Sequence, residues 1–411
     1  MTDVHEGTRF LRVRTTIVLG ALSAVGPFSL DAYLPAMPTI ARQFAVSAGS
    51  VQWSLTACLV GLALGQLFVG PIADRVGRRG PLIAGTIAYA LASLCCAFAP
   101  NISLLVLARF IQGVAGAAGI VVGRAMVRDL TSGNSSTALY SQLAAVSGIA
   151  PVVAPVFGAL ALQFVSWRAV FVGLAVLGLC LVASVLLWMP ESHTSDARSK
   201  LPQEPFWKSF GKVMQDPYFA GFALLGGLAT GTLFAYISNA SFVVQTTYQG
   251  SSLEFATIFA INGAGLALAS QLNSRLSRRF GSVRLLRIGL ALQVVGVLTL
   301  ATVVLLIGRS RGLNALTLAP FLFFAIVPWG LVMPNVTGLA MARSARRNGT
   351  ASAILGVVGF LAGATVSSAG GLIDPEHSMV LLMLVTVTFS AILAILLTRT
   401  RSRSSFADRT E

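Results

Sequence analysis

Twelve apolar runs recur along the chain, each long enough to cross a lipid bilayer, and they leave it few folds. Their approximate bounds are 15–36, 50–72, 81–99, 102–126, 138–161, 168–189, 217–242, 253–273, 285–307, 317–339, 350–373 and 378–398. A helix needs about 20 apolar residues to span the hydrocarbon core. Lipid offers the backbone no hydrogen-bond partner, so each run must close its own bonds as a helix. The short loops and the pattern of alternation do not suit a β-barrel. Composition agrees: 55% of the 411 residues are hydrophobic and 10% are charged, against about 25% charged in a soluble chain. The expected fold is an all-α integral membrane protein of twelve transmembrane helices. They form two six-helix halves, 1–190 and 217–411, joined by a cytoplasmic central loop, 191–216.

Basic residues orient such a bundle, because short loops rich in Lys and Arg stay on the cytoplasmic side. With the N-terminus inside, 24 of the 29 Lys and Arg fall in cytoplasmic segments. Arg42, Arg168, Arg309 and Arg311 fall outside, and Arg109 lies within the fourth run. Both termini are therefore expected in the cytoplasm. The same distribution accounts for the net charge of +15 without a nucleic-acid partner. The first run follows Arg9, Arg12 and Arg14 as a signal peptide would. It carries Asp31, Pro35 and Pro38 and no convincing A-x-A site, so it reads as a retained helix.

Cys58, Cys95, Cys96 and Cys180 all lie in apolar runs, at no spacing that suggests a metal site or a disulfide framework. His5, His193 and His377 fall in tails or loops, which argues against a histidine proton relay in the membrane. No nucleotide loop, paired catalytic carboxylates or nucleophile–base pair is visible, so neither an enzyme nor a cofactor is expected. In the central loop Phe206, Phe210, Val213 and Met214 recur at helical spacing beside Trp207, Lys208 and Lys212. A short helix on the inner membrane face and a solvated linker are both consistent with that pattern.

Asp31 is the one acid well inside a run. A carboxylate there costs several kcal/mol unless it is paired, hydrated or neutralised, and so is by default a site of proton or cation handling. Burial penalises the charged form and a nearby cation favours it. Alternation between those surroundings is the physical basis of proton coupling. The other reading is an acid near enough to the outer face to stay hydrated, since Pro38 is about 10 Å away along a helix. Arg109 is the expected partner, at similar depth in the fourth run. Its own alternative is to snorkel toward the headgroups.

Between the second and third runs lies Gly70-Pro71-Ile72-Ala73-Asp74-Arg75-Val76-Gly77-Arg78-Arg79. The order G-x-x-x-D-R-x-G-R-R resembles the signature between helices 2 and 3 of the major facilitator superfamily. A weaker copy, Arg275 to Gly281, follows the eighth run without the acid. Two related halves fit a transporter built from repeats, with its site at midplane. Arg109-Phe110-Ile111-Gln112-Gly113 resembles the helix 4 motif that the same superfamily uses in proton transfer. Gly148, Pro151, Pro155 and Gly158 resemble its Gly/Pro-rich antiporter motif, with alanines where others have glycine; a plain packing seam is the alternative. The resemblance also implies an inner latch. In it Asp129 would pair with Arg78, in concert with Gly70, Asp74, Arg75 and Gly77, although a solvated surface contact would look the same.

Ser29 to Pro38, Leu233 to Val243 and Trp188-Met189-Pro190-Glu191-Ser192 look like helix 1, helix 7 and the end of helix 6 of the bicyclomycin/chloramphenicol-resistance (Bcr/CflA) exporters. That membership implies a monomeric, multi-pass drug:proton antiporter of the bacterial inner membrane, working by alternating access. Its partners would be small amphiphilic drugs, protons and the lipid bilayer. In that fold helices 1, 4, 7 and 10 line the cavity. The implied lining is Asp31, Tyr33, Arg109, Gln112, Phe234, Tyr236, Asn239, Trp329 and Asn335; the aromatics could equally face lipid or a neighbouring helix. Proton-coupled movement of a metabolite, in either direction, and a non-transporting receptor are the competing readings. A receptor would not need an acid and an arginine buried at matching depth.

Overall fold

Among the described residues every regular element is helical. The computed structural model describes residues 2–130, 134–192, 206–306, 312–344 and 347–407. In chain order α1 (Thr2–Asp31) is followed by a 3-10 turn (Leu34–Ala36), α2 (Met37–Phe44), α3 (Ala48–Val76), α4 (Arg79–Ala97), α5 (Ile102–Leu130), α6 (Asn134–Phe164) and α7 (Arg168–Trp188). Then come α8 (Phe206–Met214), α9 (Pro217–Phe242) with a π-helical end (Val243–Thr247), α10 (Ser252–Phe280) and α11 (Ser282–Leu306). The chain continues through α12 (Ala315–Ile326), α13 (Trp329–Met341), α14 (Asn348–Ala369) and α15 (Pro375–Ala407). Among the described residues eleven helical stretches are long and apolar enough to cross a membrane, and Gly148–Phe164 of α6 is a further, shorter apolar stretch in the fifth place.

Two runs expected to be continuous helices are broken. The first, drawn as 15–36 with Asp31 inside it, stops being α-helical at Asp31. Pro35 is the cause. It has no N–H to offer the Asp31 carbonyl four residues back, and its ring crowds that carbonyl. Asp31 is therefore the last residue of α1, at the lip of a 3-10 turn, and not a mid-helix acid. The tenth run, drawn as 317–339, divides at Val327-Pro328 into α12 and α13 for the same reason. Proline inside α6 does not divide it: the helix runs on through Pro151 and Pro155.

A carbonyl released by such a break has to be covered, because hydrocarbon cannot solvate it. Neighbouring glycines let another helix come close enough to do so. A Cβ at Gly158 of α6 would collide with the Ala32 carbonyl, and one at Gly296 of α11 with the Phe324 carbonyl. Gly148 lies on the same helix as Gly158 but faces no atom of the described residues within 4 Å.

The chain divides into two compact units. One comprises Met1–Val46 and Ala57–Gln203; the other comprises Ser47–Thr56 and Glu204–Glu411. The same packing plan recurs inside each. In the first, α1 packs on α5, α6 and α7, and α4 on α5 and α7. In the second, α9 packs on α13, α14 and α15, and α11 on α12, α13 and α15. The repeat that is faint in the loops is thus clear in helix contacts. The core of the second unit joins Phe219, Phe222 and Leu225 of α9 to Leu286, Leu290, Val332, Val336 and Ile354. Between helices in lipid such cores hold by close packing rather than by removal from water. Of the two readings of the central loop, its 206–214 segment is helical. Val213 of α8 is buried in this core with Phe210 against it, while Trp207 and Met214 are exposed.

Gly158→Val should push α6 off the α1 break and cost about 1–3 kcal/mol of stability. Gly148→Ala, with nothing to strike, should not lower it. Thermal unfolding of the two variants in detergent compares them directly.

Candidate functional site

A closed polar ring ties three helices of the first unit together at the α1 break. Arg109 of α5 is 0% exposed. Its Nη1 donates to the Ser29 carbonyl at 3.2 Å and to Gln112 Oε1 at 2.6 Å. Gln112 Nε2 donates to Ser93 Oγ of α4 at 2.7 Å, and that hydroxyl donates to the Tyr89 carbonyl at 2.7 Å. The Tyr89 hydroxyl returns to Ser29 Oγ of α1 at 2.5 Å, closing the ring. The Arg109 guanidinium also stands 4.4 Å from the Tyr33 ring centroid and 5.7 Å from that of Phe171.

No single contact could hold this charge. Burying a cation costs several kcal/mol. A hydrogen bond to a charged group returns about 1.5–3 kcal/mol, and a desolvated cation–π contact about 2 kcal/mol. Several together are needed, and Arg109 Nε and Nη2 still lack hydrogen-bond partners among the described residues.

Asp31 is 5% exposed, and among the described residues it has neither a hydrogen bond nor an ion pair within 4.0 Å. The structure thus brings Asp31 and Arg109 into electrostatic range, but the direct pair expected from the sequence is absent. The guanidinium is engaged by Ser29 and Gln112 instead. A second buried acid, Glu376 at the head of α15, differs in having a partner, since the Tyr248 hydroxyl donates to it.

The expected lining residues of the second unit are turned into protein and internally satisfied. Phe234 packs where a Cβ on Gly363 would go. The Tyr236 hydroxyl accepts from Asn262 Nδ2 at 2.9 Å, and its ring stacks on Phe259 at 5.4 Å. Asn239 donates to the Ala235 carbonyl and accepts from Gln52 Nε2 at 2.9 Å. Asn335 donates to Asn273 Oδ1 at 2.6 Å, and Trp329 Nε1 to the Ala229 carbonyl at 3.0 Å. An apolar cavity of about 360 Å³ lies apart from all of these, among Thr16, Ile17, Gly20, Ala21, Leu143 and Val146 of α1 and α6.

The gating candidates gather where α3, α4, α5 and the end of α7 meet. Arg78 Nε donates to Asp129 at 2.9 Å and its Nη1 to Asp74 at 2.5 Å. Burial works against the Arg78 charge, but the two carboxylates outweigh it and hold its pKa above the ordinary arginine value. Gly77 has a φ of +104°, a backbone region that favours glycine. Its turn directs two successive N–H groups, of Arg78 and Arg79, at the Glu191 carboxylate, at 2.9 and 3.0 Å. Glu191 thereby neutralises the start of α4, where an anion is favoured. Arg75 is exposed and joins no contact of this cluster. Gly70 faces Val121 at ordinary packing distance.

Sequence reasoning did not single out Ser29, Tyr89, Ser93, Glu191 or Gln52. A signal existed for some of them. Tyr89 and Ser93 sit four apart on an apolar helix, as neighbours on one face, and Gln112 lies three from Arg109 on another. The pairing of those two faces is not encoded in spacing.

A family model described as the Major Facilitator Superfamily matches residues 19–367. The chain is 37% identical over 371 residues to an uncharacterized MFS-type transporter, YdgK, of Bacillus subtilis, covering 90% of this chain and 91% of that one. It is 32% identical over 352 residues to a bicyclomycin resistance protein homolog of Haemophilus influenzae, covering 86% and 87%. A bacterial homolog of the human lysosomal transporter Spinster shares the fold, with a TM-score of 0.72 at 19% identity, over 95% of this chain and 97% of that one.

Glu191→Gln keeps the shape of the contact and removes its charge. It should destabilise the protein by about 0.3–2 kcal/mol, the worth of an anion at a helix N-terminus. Asp129→Asn, which leaves the buried Arg78 with one carboxylate, should cost more. Denaturation midpoints of the two variants in detergent test this order.

Proposed function

Because this chain belongs to the Major Facilitator Superfamily, in its branch of bicyclomycin- and chloramphenicol-type drug-resistance transporters, we propose that it exports small amphiphilic antimicrobials in exchange for protons. It is a transporter and not an enzyme, and a multi-span protein of the bacterial inner (plasma) membrane. The observation that carries the proposal is Asp31: a buried carboxyl with no partner among the described residues, at a helix break, beside a buried arginine held by other groups. Such an acid can gain and lose a proton without dismantling an ion pair. It lies at the end of a helix rather than inside one, where small backbone changes alter its surroundings.

In the cycle we propose, the two halves alternate access to a central site, with both termini cytoplasmic. Asp31 takes a proton when open outward. Proton and drug favour opposite states, so proton entry drives drug release; a ligand shifts such an equilibrium only by its differential affinity for the two states. Arg109 tunes the acid. The Arg78–Asp74–Asp129–Glu191 cluster steadies the inner ends of its helices in one state. Tyr33, Gln112, Phe234, Tyr236, Asn239, Trp329 and Asn335 would reach substrate once their present contacts rearrange. A mostly apolar lining with few polar groups suits neutral or singly charged drugs of chloramphenicol or bicyclomycin type. The protein is proposed to work as a monomer in the lipid bilayer.

In proteoliposomes with an imposed inward proton gradient, chloramphenicol or bicyclomycin should move against the proton flow. Asp31→Asn should reduce that movement to background while inserting normally; energised export by this variant would rule out Asp31 as the carrier. Movement of drug and proton in the same direction would replace export with uptake. Asp74→Lys should slow turnover without removing drug binding.

A further inference from the structure

Tyr89 has no part in the scheme above, yet its hydroxyl closes the polar ring. The side chain is buried on α4. Its ring packs against Gly116 of α5 and Gly178 of α7, where added Cβ atoms would lie 3.6 and 3.0 Å from it. Ser29 Oγ donates to the Val25 carbonyl at 2.7 Å, so its single proton is spent. In the 2.5 Å bond between the two hydroxyls Tyr89 is therefore the donor. Ser29 stands in the last turn of α1, two residues before Asp31, and its carbonyl is the one that holds Arg109.

We propose that Tyr89 is a positioning residue for proton coupling: through Ser29 it tethers the last turn of α1 and keeps Asp31 and Arg109 apart. This rests on the reading of Asp31 as the proton carrier. The turn needs a tether, because Pro35 removes the donor that would otherwise bind the Asp31 carbonyl. Released, the turn would let the guanidinium leave the Ser29 carbonyl for the Asp31 carboxylate. A direct ion pair would then compete with the proton. The titratable group in electrostatic range of Asp31 is Arg109 of α5, and Arg109 in turn has Tyr33 just beyond α1, Tyr89 and Cys96 of α4 and Cys58 of α3 in range. Arg168 at the head of α7 is engaged elsewhere, over the Trp167 ring and with the Ala99 carbonyl. Among the residues of α6 with described side chains, none near the break is titratable.

The test is an infrared pH titration of the full-length protein in lipid, following the protonated-carboxyl band that Asp31→Asn removes. Tyr89→Phe keeps the ring and its packing and deletes only the donor. It should displace the midpoint of that band by about half a pH unit or more. Ser29→Ala should displace it similarly, and the double variant no further than either single one, because both cut the same tether. Ser29→Ala also serves if Tyr89→Phe fails to fold. An unchanged midpoint in a folded variant, with the band present, would overturn the role of Tyr89 and leave Asp31 as carrier. If Asp31→Asn removes no titrating band, the carrier assignment fails, and the role of Tyr89 fails with it.

Discussion

A peptide group or a charge in hydrocarbon has nothing to bind except the protein itself, and both units are built around that constraint. It makes every span a helix. It also makes each interruption a local problem that a neighbour must solve. Where Pro35 ends α1, Gly158 brings α6 against the freed Ala32 carbonyl; where Pro328 divides the tenth span, Gly296 brings α11 against Phe324. The breaks are therefore places where the packing of one helix depends on the backbone of another.

Arg109 meets the same constraint with a full charge. Its guanidinium draws on the Ser29 carbonyl of α1, on Gln112 of its own helix and on the aromatic rings of Tyr33 and Phe171, and Gln112 extends the network to Ser93 of α4. The cluster at Arg78 solves a milder version of the problem. Asp74 there is half-exposed, so solvent screens its share of the pairing. At the heart of the first unit Asp31 stands out because the ring engages Ser29 and Arg109 on either side and leaves the carboxyl aside. A group whose charge state is meant to change is poorly served by a permanent partner, and the geometry is consistent with that demand.

Much of this was legible from residue order. Run lengths identified the helices, and the 70–79 motif located the Arg78 cluster, with its Asp129 contact at 2.9 Å. Asp31 and Arg109 stood out because charge is costly in an apolar run. The break at Asp31 was legible too, since Pro35 falls four residues later, but counting apolar residues alone ran the helix past it. Tyr89, Ser93 and Glu191 were less visible. A hydroxyl costs little in a helix that can accept its hydrogen bond, and an acid in a loop looks hydrated.

The sequence by itself determined that the chain is a helical membrane protein, which residues carry unavoidable charge into it, and where proline could interrupt a helix. These follow from local chemistry: hydropathy, charge and the missing proline N–H. Only the tertiary structure decided that Arg109 binds Ser29 and Gln112 instead of Asp31, that Tyr89 holds the end of α1, and that Glu191 reaches the start of α4. Each joins residues 60 or more positions apart, or selects among nearby partners for one donor. Such choices depend on which helix faces meet, and at what height, and residue spacing along a single helix carries no record of either.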